Sequence, residues 1–315
     1  MPRVALVGAG AIAPFHVAAL RAVGFQVEHV AGSNGSRRAE AFAAEHGIPQ
    51  YWRKPTELVE SEEWDAIVLA CATEALPELL RCAVKTKRPC LVEKPLSFDS
   101  ETILKFTSAE DHVRVAYNRR FYAAAAAARS FADDGPCLVR LELPETIQDH
   151  HEGDDGLRAV RENSVHGLDL LQYVVGHYRL ESRLDVSGPR ARVATFSTTH
   201  GHVGSIVLNW NVPANFALVL DRAPKRFELR PFEMGSMYQG MEVIEPSADM
   251  PVRRYVPKLA SQVTSFPGPD GLKPGFREQA ESLLQRVRTG QWDPRSATLQ
   301  QAAFAVDVSR ALTSA

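Results

Sequence analysis

The stretch Val4-Ala5-Leu6-Val7-Gly8-Ala9-Gly10-Ala11-Ile12-Ala13 decides the fold. Four apolar residues with strand character run directly into G-x-G-x-x-A and then into a helix predicted over Ala11 to Ala22. Such a glycine pattern is weak alone, but here it joins a strand to a helix at the start of a βαβ unit, the context that gives it meaning. Gly8 permits the tight turn, Gly10 lets backbone amides approach a pyrophosphate, and Ala13 keeps the helix close to the sheet. The unpaired N–H groups at the helix start then hold phosphate charge. Gly8, Gly10, Ala11 and Ile12 are therefore expected to bind a dinucleotide. The alternative is a glycine turn that serves only the packing of a nucleotide-free α/β fold.

Cofactor choice turns on the end of the second strand, where an Asp or Glu would bind the 2′-hydroxyl of NAD. The chain instead reads Gly32-Ser33-Asn34-Gly35-Ser36-Arg37-Arg38. With no carboxylate to repel a 2′-phosphate, Ser33, Asn34, Arg37 and Arg38 favour NADP within an NAD(P) assignment. Arg37 and Arg38 are equally readable as a solvated first helical turn.

Outward from the fingerprint, short apolar runs alternate with amphipathic stretches as far as residue 119, the rhythm of a parallel sheet covered by helices. Strands are predicted at Arg3 to Val7, Gln26 to Ala31, Pro49 to Trp52, Ala66 to Ala70, Cys90 to Glu93 and Val113 to Tyr117. Helices are predicted at Arg37 to His46, Glu74 to Lys85 and Glu101 to Ala109. After Asp133-Asp134-Gly135-Pro136 the pattern becomes successive strands: Cys137 to Leu143, Ala191 to Thr198, Val203 to Trp210, Phe216 to Leu220 and Phe227 to Leu229. Helices are expected at His166 to Val175, Phe276 to Arg288 and Thr298 to Leu312. The fold class is α/β: residues 1–119 a Rossmann dinucleotide-binding domain, residues 120–315 an α+β domain for substrate binding and oligomerisation, with an open, mostly antiparallel sheet.

The 315 residues carry a net charge of −2, with 45% hydrophobic and 23% charged residues, an ordinary globular composition. That charge provides no long-range attraction to nucleic acid or anionic lipid, so neither is expected as a partner. Cys71, Cys82, Cys90 and Cys137 show no C-x-x-C spacing and read as reduced thiols. The apolar start resembles a short signal peptide, but cleavage would destroy the fingerprint; a cytoplasmic location is expected. Asp149-His150-His151-Glu152-Gly153-Asp154-Asp155 lacks a recurrent zinc spacing and reads as a polar loop, so no metal is assigned.

The fifth strand candidate leads into Cys90-Leu91-Val92-Glu93-Lys94-Pro95-Leu96. Together with the fingerprint, Tyr117-Asn118-Arg119-Arg120-Phe121 and His166-Gly167-Leu168-Asp169, this E-K-P segment resembles the Gfo/Idh/MocA family of glucose-fructose oxidoreductases and inositol dehydrogenases. The resemblance implies an NAD(P)-dependent dehydrogenase or reductase acting on CH–OH groups of a sugar, cyclitol or related polyol. It implies that Lys94 meets substrate and nicotinamide, where an ammonium stabilises developing alkoxide charge. It makes His166 the general base, since a neutral imidazole accepts a hydroxyl proton near neutral pH. Glu93 and Lys94, with Ala72 and Thr73 after the fourth strand, complete the expected cofactor contacts. Asn118, Arg119, Asn163 and Asp169 are the expected substrate-binding residues. A homo-oligomer, dimer or tetramer, formed through the C-terminal sheet is also implied.

One departure is specific. The family often carries D-x-x-x-H, whereas this chain has Glu162-Asn163-Ser164-Val165-His166, so Glu162 is taken as the assisting acid and the substrate stays unnamed. Two other readings remain open: a glycosidase or epimerase that oxidises and re-reduces one substrate with retained cofactor, and a non-catalytic dinucleotide-sensing regulatory protein.

Overall fold

The computed structural model describes residues 1–32, 37–61, 63–146, 157–186, 191–266 and 271–314. Six strands form an all-parallel sheet: β1 (Arg3–Val7), β2 (Gln26–Ala31), β3 (Gln50–Trp52), β4 (Ala66–Leu69), β5 (Cys90–Val92) and β6 (Val113–Val115). Helices α1 (Ala13–Ala22), α2 (Arg37–His46), α3 (Pro55–Ser61), α4 (Leu76–Ala83) and α5 (Ser100–Leu104) alternate with them. The spatial order β3-β2-β1-β4-β5-β6 reverses direction at β1, which puts the ligand crevice at the carboxyl ends beside it. Alternate residues of one strand enter opposite cores: Ala5 and Val7 pack on one face, Val4 and Leu6 on the other. Burial on both faces is why these strands read as unbroken apolar runs.

The chain continues through α6 (Ala123–Asp133), β7 (Leu138–Glu145), α7 (Leu157–Ala159) and α8 (Val165–Val175), with a π-helical stretch, Val160–Ser164, between α7 and α8. Then come β8 (Tyr178–Val186), β9 (Ala191–Thr198), β10 (Val203–Trp210), β11 (Ala217–Arg222), β12 (Lys225–Leu229), β13 (Met234–Ile244) and β14 (Arg254–Thr264). With β7 they form an eight-stranded sheet ordered β14-β13-β12-β11-β7-β10-β9-β8, antiparallel except where β7 meets β10. Helices α9 (Phe276–Thr289) and α10 (Leu299–Thr313) close the chain.

Packing divides the chain into two units. The first comprises Met1–Phe121, Val160–Asp169 and Pro267–Ala315; the second comprises Tyr122–Ala159 and Leu170–Phe266. Within the first unit α9 packs against α1 and α10 against α5. Leu299, Ala302 and Val306 of α10 join the core beneath β1, β4 and β5, and so does Val165. His166, which lies beyond residue 119 in sequence, thus packs with the parallel-sheet unit, because the residue before it is buried in that unit's core.

Two local differences from the sequence pattern have physical causes. Helix α1 begins at Ala13 rather than Ala11: Pro14, in the first turn, has the φ a helix needs and lacks a donor that would go unused there. Strand β14, which the sequence reading did not include, carries Pro257; β14 is the edge of its sheet, and an edge strand accommodates the missing N–H.

Candidate active site

The carboxyl ends of the parallel strands share one edge, and the sequence-predicted residues of the first unit sit along it. Gly8 ends β1 with φ +129°, and a Cβ there would fall 2.0 Å from the Ala70 carbonyl oxygen just after β4. Its N–H donates to the Ala31 carbonyl of β2 at 2.7 Å. Only glycine can therefore tie three strand ends so closely. Gly10 is different: a Cβ there would meet no atom within 4 Å. That open space lies at the start of α1, where unpaired helical N–H groups suit a pyrophosphate. Ala13, fully buried with Val4 and Leu6, brings α1 down onto the sheet.

Of the other expected cofactor contacts, Ala11 and Ala72 are exposed and Ile12 and Thr73 half-buried at this edge. Arg37 and Arg38 are exposed in the first turn of α2. Ser33 and Asn34 lie outside the described residues, as does the segment from Asp149 to Asp155.

Gly10→Val is expected to weaken NADH binding by at least about 100-fold, because its branched side chain enters the space proposed for the phosphate while its Cβ meets no protein atom within 4 Å. Thermal unfolding should shift by less than about 0.5 kcal/mol, the range for a substitution without buried contacts. Fluorescence titration of NADH beside a melting curve measures both.

A side chain that the sequence reading did not single out organises the E-K-P segment. Buried His16, on α1, is bonded through Nε2 to Glu93 Oε1 at 2.7 Å, and Glu93 Oε2 accepts the Lys94 N–H at 3.0 Å. Burial by itself raises the Glu93 carboxyl, but the His16 contact and the adjacent Lys94 hold it below its ordinary value. The sequence signal for His16 was available: it is a polar residue on the buried stripe that Ala13, Val17 and Leu20 define.

Lys94 is half-buried beyond β5, before a cis bond to Pro95. Its Nζ donates to the Glu162 carbonyl oxygen at 2.8 Å. Glu162 lies in the π-helical stretch, where the widened turn disrupts ordinary helical bonding, a distortion common at functional sites. Burial lowers the Lys94 ammonium; Glu93 and Glu162 oppose this, and Arg119 and Lys273 reinforce it.

His166 is 9% exposed, and among the described residues its Nδ1 has no hydrogen-bond partner. The Tyr117 ring stands edge-on to it, with centroids 5.9 Å apart. Burial, then Lys94, Arg119 and Lys273, holds the imidazole well below its ordinary pKa, so it is neutral at pH 7.

Lys94, Glu162, Arg119 and His166 are thus brought into one neighbourhood within the first unit. Asn163 is exposed in the same turn, and Asn118 is buried with its Nδ2 donating to the Pro274 carbonyl at 2.9 Å. Asp169, expected to bind substrate, instead faces Arg120. Its two oxygens accept from Arg120 Nη2 at 2.7 Å and Nε at 2.8 Å, and both side chains are buried. Arg120 Nη1 also donates to Gln301 Oε1 at 2.6 Å. The pair satisfies itself, which is why Asp169 does not reach the His166 Nδ1.

The four cysteines are free, and burial pushes the Cys71 thiol up to about 11, far from a reactive thiolate. Among the described residues no group of three His, Cys, Asp or Glu side chains is placed to hold a metal. No described helix is long and apolar enough to cross a membrane.

Comparison with known proteins agrees with this geometry. Residues 2–119 match the Gfo/Idh/MocA model, described as an oxidoreductase family with an NAD-binding Rossmann fold. An inositol 2-dehydrogenase from Saccharopolyspora erythraea is 30% identical over 182 residues, covering 55% of this chain and 53% of that protein. A myo-inositol 2-dehydrogenase from Thermotoga maritima is 22% identical over 185 residues, covering 55% of each. The chain spans about half the length of the curated relatives it matches. The solved structure of myo-inositol dehydrogenase from Lactobacillus casei in complex with NAD(H) and myo-inositol superposes with a TM-score of 0.73 at 15% identity, covering 99% of this chain and 93% of that one, a likeness of fold. Over residues 2–119, which include the glycine turn and the E-K-P segment, this chain matches the NAD-binding Rossmann domain of the Gfo/Idh/MocA oxidoreductase family.

Proposed function

We propose that the protein is an NAD(P)-dependent oxidoreductase that interconverts a hydroxyl and a keto carbon on a sugar, cyclitol or related polyol. The observation that carries this reading is the pairing, beside the dinucleotide turn, of a Lys94 ammonium anchored on the Glu162 carbonyl with a buried, neutral His166. A nicotinamide dinucleotide held at the Gly8–Gly10 turn would supply the hydride acceptor or donor. Lys94 holds the substrate oxygen and stabilises the negative charge that grows on it during oxidation. His166 accepts the hydroxyl proton, a role open to it only as the neutral imidazole. Glu162 acts mainly through its backbone, which fixes the Lys94 side chain, and through its charge, which helps keep the ammonium protonated.

The pH dependence follows from the same environment. Because burial and three cations disfavour the imidazolium, the acid limb of kcat/KM for alcohol oxidation should lie well below 6.5, the ordinary histidine value. Replacing His166 by Asn should lower the rate and flatten that limb. Stability moves in the same sense. Below 6.5 the unfolded chain binds a proton at this histidine that the folded protein refuses, so the contribution is complete above that pH and declines as pH falls toward the depressed value. An acid limb at or above 6.5 would assign the proton transfer to another group.

For the cofactor we favour the phosphorylated form, since exposed Arg37 and Arg38 open α2 and no carboxylate stands between Gly32 and Arg38. The kcat/KM ratio for NADPH over NADH measures this, and a ratio below one reverses it. Exposed apolar side chains on β13 and β14, among them Met241, Val243, Tyr255 and Leu259, support self-association through the second sheet. Inositols, sugars and polyols screened with both oxidised cofactors, read by absorbance of the reduced nicotinamide, test the activity. A tightly retained nicotinamide with product formation but no net reduction would favour the glycosidase or epimerase reading.

A further inference from the structure

We propose that a cleft at the amino ends of β4, β5 and β6 is a second ligand site, one that takes a phosphate ion or the phosphate group of a small ester. It lies at the edge of the parallel sheet opposite the Gly8–Gly10 turn and stands independently of the oxidoreductase reading, which makes no use of it.

The cleft has a volume of about 370 Å³, opens to solvent and is lined by Lys87, Arg88, His112 and Arg286, with Asp65 as the carboxylate among them. That volume falls within the range of small-molecule sites. Segments distant in sequence meet there. Asp65 precedes β4, Lys87 and Arg88 lead into β5, and His112 precedes β6. The Pro89 carbonyl accepts from the Ile67 N–H at 3.0 Å and the His112 carbonyl from the Cys90 N–H at 2.8 Å, so the sheet's own hydrogen bonds hold these segments side by side. Arg286 comes from the last turn of α9.

The charged groups of the lining are unequally engaged. Asp65 Oδ2 accepts the Arg3 backbone N–H at 2.7 Å. Arg88 donates to the Trp64 carbonyl and lies 5.4 Å over the Trp64 ring. Lys87 and Arg286, by contrast, pair with no carboxylate among the described residues. Arg286 Nη2 is 3.4 Å from His112 Nδ1. A guanidinium offers only donors, so Nδ1 accepts and the imidazole proton sits on Nε2. Burial and the Arg286 charge, with Asp111 opposing and Lys87 assisting, lower the imidazole and keep it in that neutral form.

An ammonium, a guanidinium and an imidazole N–H on one cleft suit a phosphate, which has three terminal oxygens for charge-assisted hydrogen bonds where a carboxylate has two. Complementing the negative end of α9 would account for Arg286 alone. It gives no reason for Lys87, which a different segment brings to the same cleft.

Calorimetric titration in chloride at fixed ionic strength tests the site with inorganic phosphate, glycerol 3-phosphate and glycerol, each with and without saturating NADH. Both phosphates are expected to saturate one site per chain with Kd below about 1 mM, glycerol to leave it empty, and NADH to change the phosphate Kd by less than about twofold. Tighter binding of glycerol 3-phosphate than of inorganic phosphate assigns the site to an ester, and the reverse assigns it to the free ion. Lys87→Gln, at an exposed position, and Arg286→Gln should each weaken phosphate binding about tenfold, the loss of one charge-assisted contact, and leave the Kd for NADH unchanged. The absence of saturable phosphate binding below about 10 mM overturns the inference. So does phosphate that NADH displaces, since the ion then sits at the dinucleotide turn, and so does undiminished binding in either variant.

Discussion

Replacing Lys94 by Met is expected to lower kcat by about 10³-fold, at the upper end of what removal of one preorganised donor to a developing oxyanion costs. Methionine keeps the unbranched stem and most of the volume, so the half-buried site stays filled. What is lost is the ammonium that the Glu162 carbonyl holds at 2.8 Å and, on the proposed reading, the charge that faces the substrate oxygen. The dinucleotide Kd should change by less than about threefold, because on the proposed reading it is backbone N–H groups near Gly8 and Gly10 that take the phosphates. Lys94→Arg should not restore the rate, since a planar guanidinium cannot reproduce a point charge on a flexible stem. Single-turnover absorbance at the reduced nicotinamide, beside NADH titration, separates chemistry from binding. A Lys94→Met protein within tenfold of the parent rate would remove Lys94 from the reaction.

The second large effect is on stability. Asp169→Ala leaves the buried Arg120 guanidinium without the Asp169 carboxylate that accepts two of its hydrogen bonds, and should cost about 3–5 kcal/mol. Replacing both partners, as in Arg120→Met with Asp169→Leu, should recover much of the loss, because the uncompensated charge then disappears with its counter-ion. Denaturant titration of the two variants measures the difference. If Asp169 bound substrate instead, Asp169→Asn would raise KM and leave the unfolding midpoint where it was, so the two roles are separable in one protein.

Much of the parallel-sheet unit was legible residue by residue. Arg3–Val7, Gln26–Ala31 and Arg37–His46 occur with the bounds their patterns imply, as do Ala191–Thr198 and Val203–Trp210 in the second sheet. These segments obey local rules: doubly buried strands are continuously apolar, half-buried ones alternate, and helices repeat every three to four residues. Strand β14 escaped the same rules because it is exposed along almost its whole length, so no alternation marks it, and Pro257 argues against it. His16 is legible as a polar residue on a buried helical stripe, but its partner Glu93, 77 residues away, is not.

The glycine turn was legible in the sequence alone, since a positive φ is a demand that glycine meets locally. Partnership was decided only in three dimensions. Glu93 lies 77 residues from His16, Glu162 lies 68 from Lys94, and Asp169 lies 49 from Arg120. A buried polar group must find its complement wherever the packed chain presents one, and no spacing rule records that. The same physics paired Asp169 with Arg120, and it carried His166 into the unit that holds Lys94 because Val165 is buried in that unit's core.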